Sequence, residues 1–249
     1  MSAASRRLRP GLATLLLVAA CSTTATPRAA APTVEASAVP TPSAPTAATG
    51  SIPPALDPRD IYAAGRPGRL AGEALRARAL VYVPNSEDDT VSVIDQQTRK
   101  VIATAKTGRL PQHVTPSYDL RTLYVDNDKG NSLTRIDPLT GRFGATVDVD
   151  DPYNLYFTAD GRYAVVVAEA RQRLDFYDAK TWRLVRRLPV SCRGVDHLDF
   201  SADGTHALVS CEFHAKMIYV DMQRQRVAKE VALPADSMPQ DVKLSPDGR

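Results

Sequence analysis

Four strand-like segments recur at nearly constant spacing in the second part of the chain. They span residues 90–95, 132–137, 173–178 and 216–221, and each combines β-branched or aromatic residues with a closing aspartate. These aspartates, Asp95, Asp137, Asp178 and Asp221, lie 42, 41 and 43 residues apart. Such a composition is typical of a β-strand, and the aspartate begins a polar turn. A fixed period of this length predicts stacked copies of one supersecondary unit.

Each repeat contains further strand patterns on both sides of this segment. A preceding run occupies residues 80–85, 123–127, 164–169 and 207–212, and a following run occupies 101–105, 143–149, 184–190 and 227–233. Turn signals such as Asp160-Gly161 and Asp203-Gly204 place one more strand before each unit. Four short strands in about 40–45 residues are typical of a β-propeller blade. We therefore predict an all-β fold, a β-propeller of four-stranded antiparallel blades, over residues 79–249.

The first repeat also carries a recognisable sequence pattern. Val81-Tyr-Val-Pro-Asn85, Thr90-Val-Ser-Val-Ile-Asp95 and Thr107-Gly108 resemble the YVTN-type β-propeller repeat. That family includes surface-layer and periplasmic proteins, and it is similar to the haem d1 domain of nitrite reductases and the methylamine dehydrogenase heavy chain. The resemblance implies seven blades. About four repeats are present and the chain stops at a turn signal, so we expect a fragment of a seven-bladed propeller. A closed four-bladed ring is the alternative.

The N-terminus is typical of an export signal. Arg6, Arg7 and Arg9 precede the apolar run Leu12–Ala20, which is shorter than the roughly 20 residues needed to span a bilayer. The run ends in Val18-Ala19-Ala20-Cys21, which looks like a bacterial lipobox. We therefore predict a lipoprotein signal peptide over residues 1–20 and lipidation of Cys21. An ordinary signal peptide followed by an incidental cysteine is the alternative.

The composition between the signal peptide and the repeats predicts a tether. Residues 21–60 are rich in alanine, proline, threonine and serine, and they hold too few large apolar side chains to offset the entropy of folding. Residues 61–78 are predicted to form a lead-in loop. We expect an exported protein, lipid-anchored to the outer face of the bacterial cell membrane or to the periplasmic or outer-membrane face. Its expected partners are the membrane and an envelope protein or small ligand.

The net charge gives no support for a nucleic-acid partner. The formal charge of +3 comes from 31 basic and 28 acidic residues. Three of the basic residues lie in the predicted signal peptide, and 28 of each sign remain when that segment is removed. No basic patch is therefore indicated in the folded part.

Polar residues recur at one position of the innermost predicted strand of each blade. Aligned on the Asp-Gly turns, this position holds His113, Asn154, His197 and Asp241, where the resembling family typically has a small residue. Equivalent positions in successive blades point towards the same part of the propeller axis. We therefore predict a ligand-binding site at the channel rim. The alternative is a hydrated channel with polar walls.

Two cysteines flank one predicted hairpin. Cys192 precedes the inner strand and Cys211 ends its neighbour, so an antiparallel hairpin brings them to the same end. An exported protein meets an oxidising environment, which favours a disulfide. The alternative is a zinc or copper site formed by Cys192, His197, Cys211 and His214. Otherwise no cofactor is expected, and the Cys-x-x-Cys-His haem attachment motif does not occur.

Sequence motifs of catalysis are missing from the chain. It contains no Gly-rich phosphate loop, Gly-x-Ser-x-Gly elbow or His-Glu-x-x-His sequence, so no catalytic residue is predicted. The acidic loop over residues 126–131 lacks the EF-hand spacing and is predicted to be a solvated turn. We predict a non-catalytic binding or scaffold module of the cell envelope. The alternative is a propeller enzyme or a redox or metal-binding protein with a site at the central channel.

Overall fold

A computed structural model describes residues 72–245 and the separate positions 57, 59, 60, 62, 63, 66, 68 and 69. The predicted signal peptide, Cys21 and most of the predicted tether fall outside the described residues. In the described part, no helix has the length and apolar character needed to cross a membrane. Short 3₁₀ helices cover Gly72–Arg76, Asp128–Gly130 and Glu212–His214.

Fifteen strands in the described part form four antiparallel sheets, which we call blades 1 to 4. Blade 1 holds β1 Leu80–Asn85, β2 Thr90–Asp95 and β3 Lys100–Lys106. Blade 2 holds β4 Pro111–Pro116, β5 Leu123–Asn127, β6 Ser132–Asp137 and β7 Arg142–Asp148. Blade 3 holds β8 Asn154–Phe157, β9 Tyr163–Ala168, β10 Arg173–Asp178 and β11 Leu184–Pro189. Blade 4 holds β12 Val195–Phe200, β13 His206–Cys211, β14 Lys216–Asp221 and β15 Arg226–Ala232.

Strands pair in chain order within every blade, which confirms the predicted four-strand repeat. The recurrent aspartates fix the turn between the third and fourth strands of the unit. Asp95 Oδ1 accepts hydrogen bonds from the backbone N–H and the hydroxyl of Thr98, at 2.7 and 2.9 Å. Asp178 does the same with Thr181, at 2.8 Å for both bonds. The regular spacing of these aspartates is therefore the spacing of one side-chain-capped turn.

The core lies between successive blades. Each strand of blade 3 contributes apolar side chains to both sheet faces, and β9 is buried from Ala164 to Ala168. The largest cluster joins blades 3 and 4 through Leu174, Phe176 and Leu198, all fully buried. Full burial of such a side chain contributes roughly 1.5–3 kcal/mol. Packing blade against blade is therefore what stabilises each sheet.

Residues 240–245 precede a further Asp-Gly turn signal, Asp247-Gly248, so the repeat pattern predicts a lone inner strand there, and this prediction is wrong for the described residues. The segment forms no strand, although Leu244 N–H donates to Asp199 Oδ2 at 2.6 Å and so holds it beside β12. A strand is defined by hydrogen bonds to a paired neighbour. The turn that would supply the neighbour, Asp247-Gly248, lies outside the described residues.

Among the described residues of the lead-in, Tyr62 contacts β12. The Tyr62 hydroxyl hydrogen-bonds the Asp199 carboxylate and accepts the backbone N–H of Phe200 at 3.3 Å. Arg66 pairs with Asp60 within the lead-in, at 2.5 Å. The lead-in thus meets blade 4, although the chain continues from it into blade 1.

Candidate functional site

The inner strands β4, β8 and β12 bring the candidate residues of three blades together. Adjacent inner strands are linked where the Tyr156 hydroxyl accepts the Leu198 N–H at 3.2 Å. All three strands begin at the same end of their blades, where the loops after β5, β9 and β13 also lie. We call this end the mouth.

An aromatic and imidazole cluster occupies the mouth. The ring of His113 lies 5.4 Å from the ring of His197 and 5.5 Å from that of Tyr153, in edge-to-face geometry. Tyr153 and His197 are 5.9 Å apart. His197 Nε2 lies 3.5 Å from Asp241 Oδ1. The structure therefore brings together His113, His197 and Asp241, three of the four residues selected from the sequence.

Asn154 does not join this cluster. Its side-chain N–H donates to the Tyr156 hydroxyl at 2.9 Å, and its Oδ1 accepts the Leu155 N–H at 2.9 Å. Register shifts in β4 and β12 occur where His113 and His197 lie, whereas β8 pairs with β9 without a shift. A bulge turns a side chain relative to its unbulged equivalent. Tyr153 therefore takes the place predicted for Asn154.

Both histidines are neutral at pH 7. Burial lowers the pKa of His113 and of His197 below the usual value, and it outweighs the opposing charge of Asp241. His113 Nδ1 lies 2.8 Å from the Tyr153 carbonyl oxygen, so this nitrogen carries the proton and donates it. His113 Nε2 is then left as an acceptor. The cluster offers flat apolar faces together with hydrogen-bonding edges.

Five carboxyl groups at the mouth were not recognised as a set from the sequence. Three of them, Asp128, Glu169 and Glu212, follow β5, β9 and β13 directly, at steps of 41 and 43 residues. Asp151 and Asp196 lie beside them, and we call Asp128, Asp151, Glu169, Asp196 and Glu212 the acidic ring. The spacing of Asp128, Glu169 and Glu212 equals the repeat period, so these three residues could have been identified from the sequence.

Burial, followed by the neighbouring carboxyl groups, raises the pKa values of Asp151, Glu169 and Asp196. Asp196 is 0% exposed, and burial followed by the adjacent Glu212 raises its pKa to about 8. Burial raises the pKa of Asp151 to about 6, with a further contribution from Asp128. Burial, followed by the neighbouring Asp196, also raises the pKa of Tyr153 to about 12. The mouth therefore disfavours the charged forms of these carboxyl and phenol groups.

The loop over residues 126–131 is not the solvated turn that was predicted. Asp126, Asn127 and Asp128 are buried. Asn127 N–H groups donate to the hydroxyls of Ser132 and Thr134, at 3.2 and 2.9 Å. A Cβ atom on Gly108 would lie 2.7 Å from Asn127 Cγ, so the preceding loop packs directly on this side chain. This packing holds the loop inward, so Asp128 lies in the wall of the mouth.

Cys192 and Cys211 form the predicted disulfide, with their Cα atoms 5.3 Å apart. Both sulfurs are therefore removed from the alternative metal set, and its fourth member, His214, is exposed. Over the described residues, no three His, Cys, Asp or Glu side chains are close enough together to hold a metal ion.

Known proteins share the fold of this chain. Kuenenia stuttgartiensis hydrazine synthase matches with a TM-score of 0.61 at 22% identity, over 68% of this chain and 50% of that chain. A functionally unknown protein from Desulfotomaculum acetoxidans DSM 771 matches with a TM-score of 0.54 at 17% identity, over 65% and 56%. The chain thus spans about half the length of these solved structures. At such identities the likeness shows the fold alone.

Sequence comparison assigns the family. No curated protein matches the chain significantly. Residues 47–193, more than half of the chain, match the model of a propeller family, and the blades have the architecture that this family requires. The protein belongs to the YNCE-like β-propeller family.

Proposed function

We propose that this protein is a membrane-anchored extracytoplasmic β-propeller lipoprotein that acts as a non-catalytic binding module in the cell envelope. The main support for an extracytoplasmic location is the Cys192–Cys211 disulfide, because disulfides persist in oxidising compartments outside the cytoplasm. The lipobox-like sequence ending at Cys21 supports the anchor. More than one acyl chain on that cysteine would make the attachment stable.

The composition of the mouth supports a binding role. His113, Tyr153 and His197 present partly exposed rings to one space, and Asp241 borders it. Binding sites combine apolar and aromatic walls with a few placed polar groups. Aromatic rings with polar tips give contact area together with hydrogen bonding. The mouth has this mixture, and it draws on three blades at once.

The anchor is tested on the N-terminal peptide of the protein purified from bacterial membranes. We expect the peptide to begin at Cys21 and to carry diacylglycerol, as measured by mass spectrometry. The Cys21→Ser variant should lack the lipid mass. The matched double variant Cys192→Ser/Cys211→Ser should retain it. An unlipidated Cys21 in the unaltered protein would contradict the proposed anchor.

A metal-binding or redox role at the channel is a second candidate, favoured by the two neutral imidazoles of His113 and His197. Neutral imidazole is the commonest protein ligand for zinc and copper. Elemental analysis after dialysis against zinc or copper would favour this role if one equivalent is retained and the His113→Ala/His197→Ala variant loses it. A metal content that this variant does not change would exclude these histidines as ligands.

A further inference from the structure

One carboxyl pair of the acidic ring already holds an ammonium group. Lys129 Nζ lies 2.8 Å from Asp128 Oδ2 and 3.9 Å from Asp151 Oδ1. Both aspartates are almost fully buried, so their charges are poorly solvated. The hydrogen bond to Asp128 raises the pKa of Lys129 above its usual value. In blade 2, carboxyl groups of the mouth therefore bind a primary ammonium group.

A second carboxyl pair, Asp196 and Glu212, has no such lysine. Glu212 occupies the repeat position of Asp128, because each begins a short 3₁₀ helix directly after the second strand of its blade. The next position is Lys129 in blade 2 and Phe213 in blade 4. In blade 4, Glu212 therefore has no lysine at the position from which Lys129 binds Asp128, and Arg193 donates instead to the Phe213 carbonyl at 2.9 Å.

Asp196 gives independent support for a missing cation. Its side chain is fully buried, and neither carboxylate oxygen has a hydrogen-bond partner in the described part of the chain. The charged groups with the largest effect on it, Glu212, Glu169 and Asp241, are all acidic. A buried polar group is normally hydrogen-bonded, since an unpartnered one has a desolvation penalty. Asp196 is aimed at Glu212, where a bound cation would satisfy both groups.

The surroundings of the pair suit an alkyl chain that ends in an ammonium group. Glu212 is only partly buried, so a ligand can reach its carboxylate. Gln240 Nε2 lies 3.5 Å from Glu212 Oε1, which is a weak hydrogen bond. The side chain of Phe213 is 47% exposed beside it. Alkyl stems pack along exposed apolar surface while the charged end binds elsewhere.

We propose that the Asp196–Glu212 pair binds the primary ammonium group of a ligand, as the Asp128–Asp151 pair binds that of Lys129. Glu212 contacts the ammonium directly, and the buried carboxyl group of Asp196 behind it supplies a second hydrogen-bond acceptor. The same chemistry has two sources, a lysine side chain of another protein and a free alkylamine. This inference rests on the proposed binding function and names its ligand class.

Ligand-detected NMR titrations of the purified protein test the proposal. The probes are Nα-acetyl-lysinamide and n-butylamine. Nα-acetyl-norleucinamide, which has the same stem without the ammonium, is the matched control ligand. We expect both ammonium probes to bind saturably and the norleucine compound not to bind. Glu212→Gln should weaken binding about tenfold or more, because a charge-assisted hydrogen bond is lost. Asp196→Asn should also weaken it.

The control variant is Asp148→Asn, which removes one exposed carboxylate on the outermost strand β7 and should leave binding unchanged. Binding of only the lysine probe or only butylamine supports the proposal and identifies the source. Binding of the norleucine compound, no binding at all, or an unchanged affinity in Glu212→Gln overturns it. Tighter binding of Mg²⁺ or Ca²⁺ at Glu212 overturns it in favour of a metal site.

These outcomes are separable from the test of the anchor. Failure of ammonium binding in a protein whose Cys21 is lipidated overturns the ligand class alone. An unlipidated Cys21 overturns the anchor and leaves a positive titration standing.

Discussion

Asp196 is the residue at which stability and the proposed binding role conflict. It is fully buried and faces another carboxyl group, so its charged form is unfavourable in the folded protein. Asparagine has nearly the same shape, and its N–H groups can donate to Glu212. Groups kept for function commonly reduce stability in this way. The stability of the Asp196→Asn variant is therefore informative.

We expect Asp196→Asn to be more stable than the unaltered protein at high pH and similar at low pH. The pKa of Asp196 is about 8 in the folded state, against about 4 in an unfolded chain. The folded state binds this proton more tightly, so its contribution to stability falls as pH rises from about 4 to 8. Since one pKa unit corresponds to about 1.4 kcal/mol, we expect a gain of up to about 5 kcal/mol at pH 8.5, seen as a rise in Tm.

Thermal unfolding followed by circular dichroism at pH 5 and pH 8.5 measures this effect. Asp148→Asn, with the same charge change at an exposed site, should not alter the pH dependence. A lower Tm for Asp196→Asn at pH 8.5 would show instead that the carboxylate stabilises the fold.

Sequence reasoning recovered part of the mouth. His113, His197 and Asp241 were found because one strand position repeats in every blade. Asn154 was misplaced because a register shift in two of the three inner strands is invisible in an alignment of repeats. Asp126 and Asp128 were assigned to solvent because acidic loops usually are solvated. Their burial depends on the packing of Gly108 and Asn127, which only the folded chain brings together.

The blade 4 hairpin is the element with the tightest covalent constraint. The disulfide joins the loop before β12 to the end of β13, and both cysteines lie in the core shared by blades 3 and 4. The same hairpin carries Asp196 and leads into Glu212. The disulfide between the two ends of this hairpin therefore restrains the positions of Asp196 and Glu212.

Removal of this disulfide should destabilise the protein. We expect Cys192→Ala/Cys211→Ala to lose about 3 kcal/mol, because the bond closes a short loop with a sequence separation of 19 residues. Urea unfolding measures the loss. A reductant should lower the midpoint of the unaltered protein and leave that of the double variant in place. Equal midpoints for the two proteins without reductant would contradict this expectation.

Elements were more predictable than individual contacts. The four-strand unit followed from a fixed period and from turn residues such as Asp95 and Asp178, whose side chains cap their own turns. Local hydrogen bonds of this kind depend on nearby sequence alone. Segment 240–245 has strand-like composition, yet pairing depends on a neighbour that local sequence does not supply. The prediction therefore failed where a long-range partner was needed.

At the scale of the whole molecule, Tyr62 ties the lead-in to β12. We expect Tyr62→Phe to release this segment, because the phenylalanine cannot hydrogen-bond Asp199 or Phe200. Cleavage by trypsin after Arg69 should become several-fold faster, since proteolysis follows local opening. A time course of fragment formation measures this. Tyr219→Phe, which alters a tyrosine of β14, should leave the rate unchanged, and equal rates in all three proteins would contradict the expectation.

Tyr62 and the acidic ring lie at opposite ends of β12. Asp196 lies near the start of β12 at the mouth, whereas Asp199 and Phe200, which hold Tyr62, lie at the other end of the same strand. The two sites are separated by three residues of strand, or about 10 Å. The incoming chain therefore docks on the side away from the acidic ring. A partner arriving at the mouth need not compete for space with the lead-in segment around Tyr62.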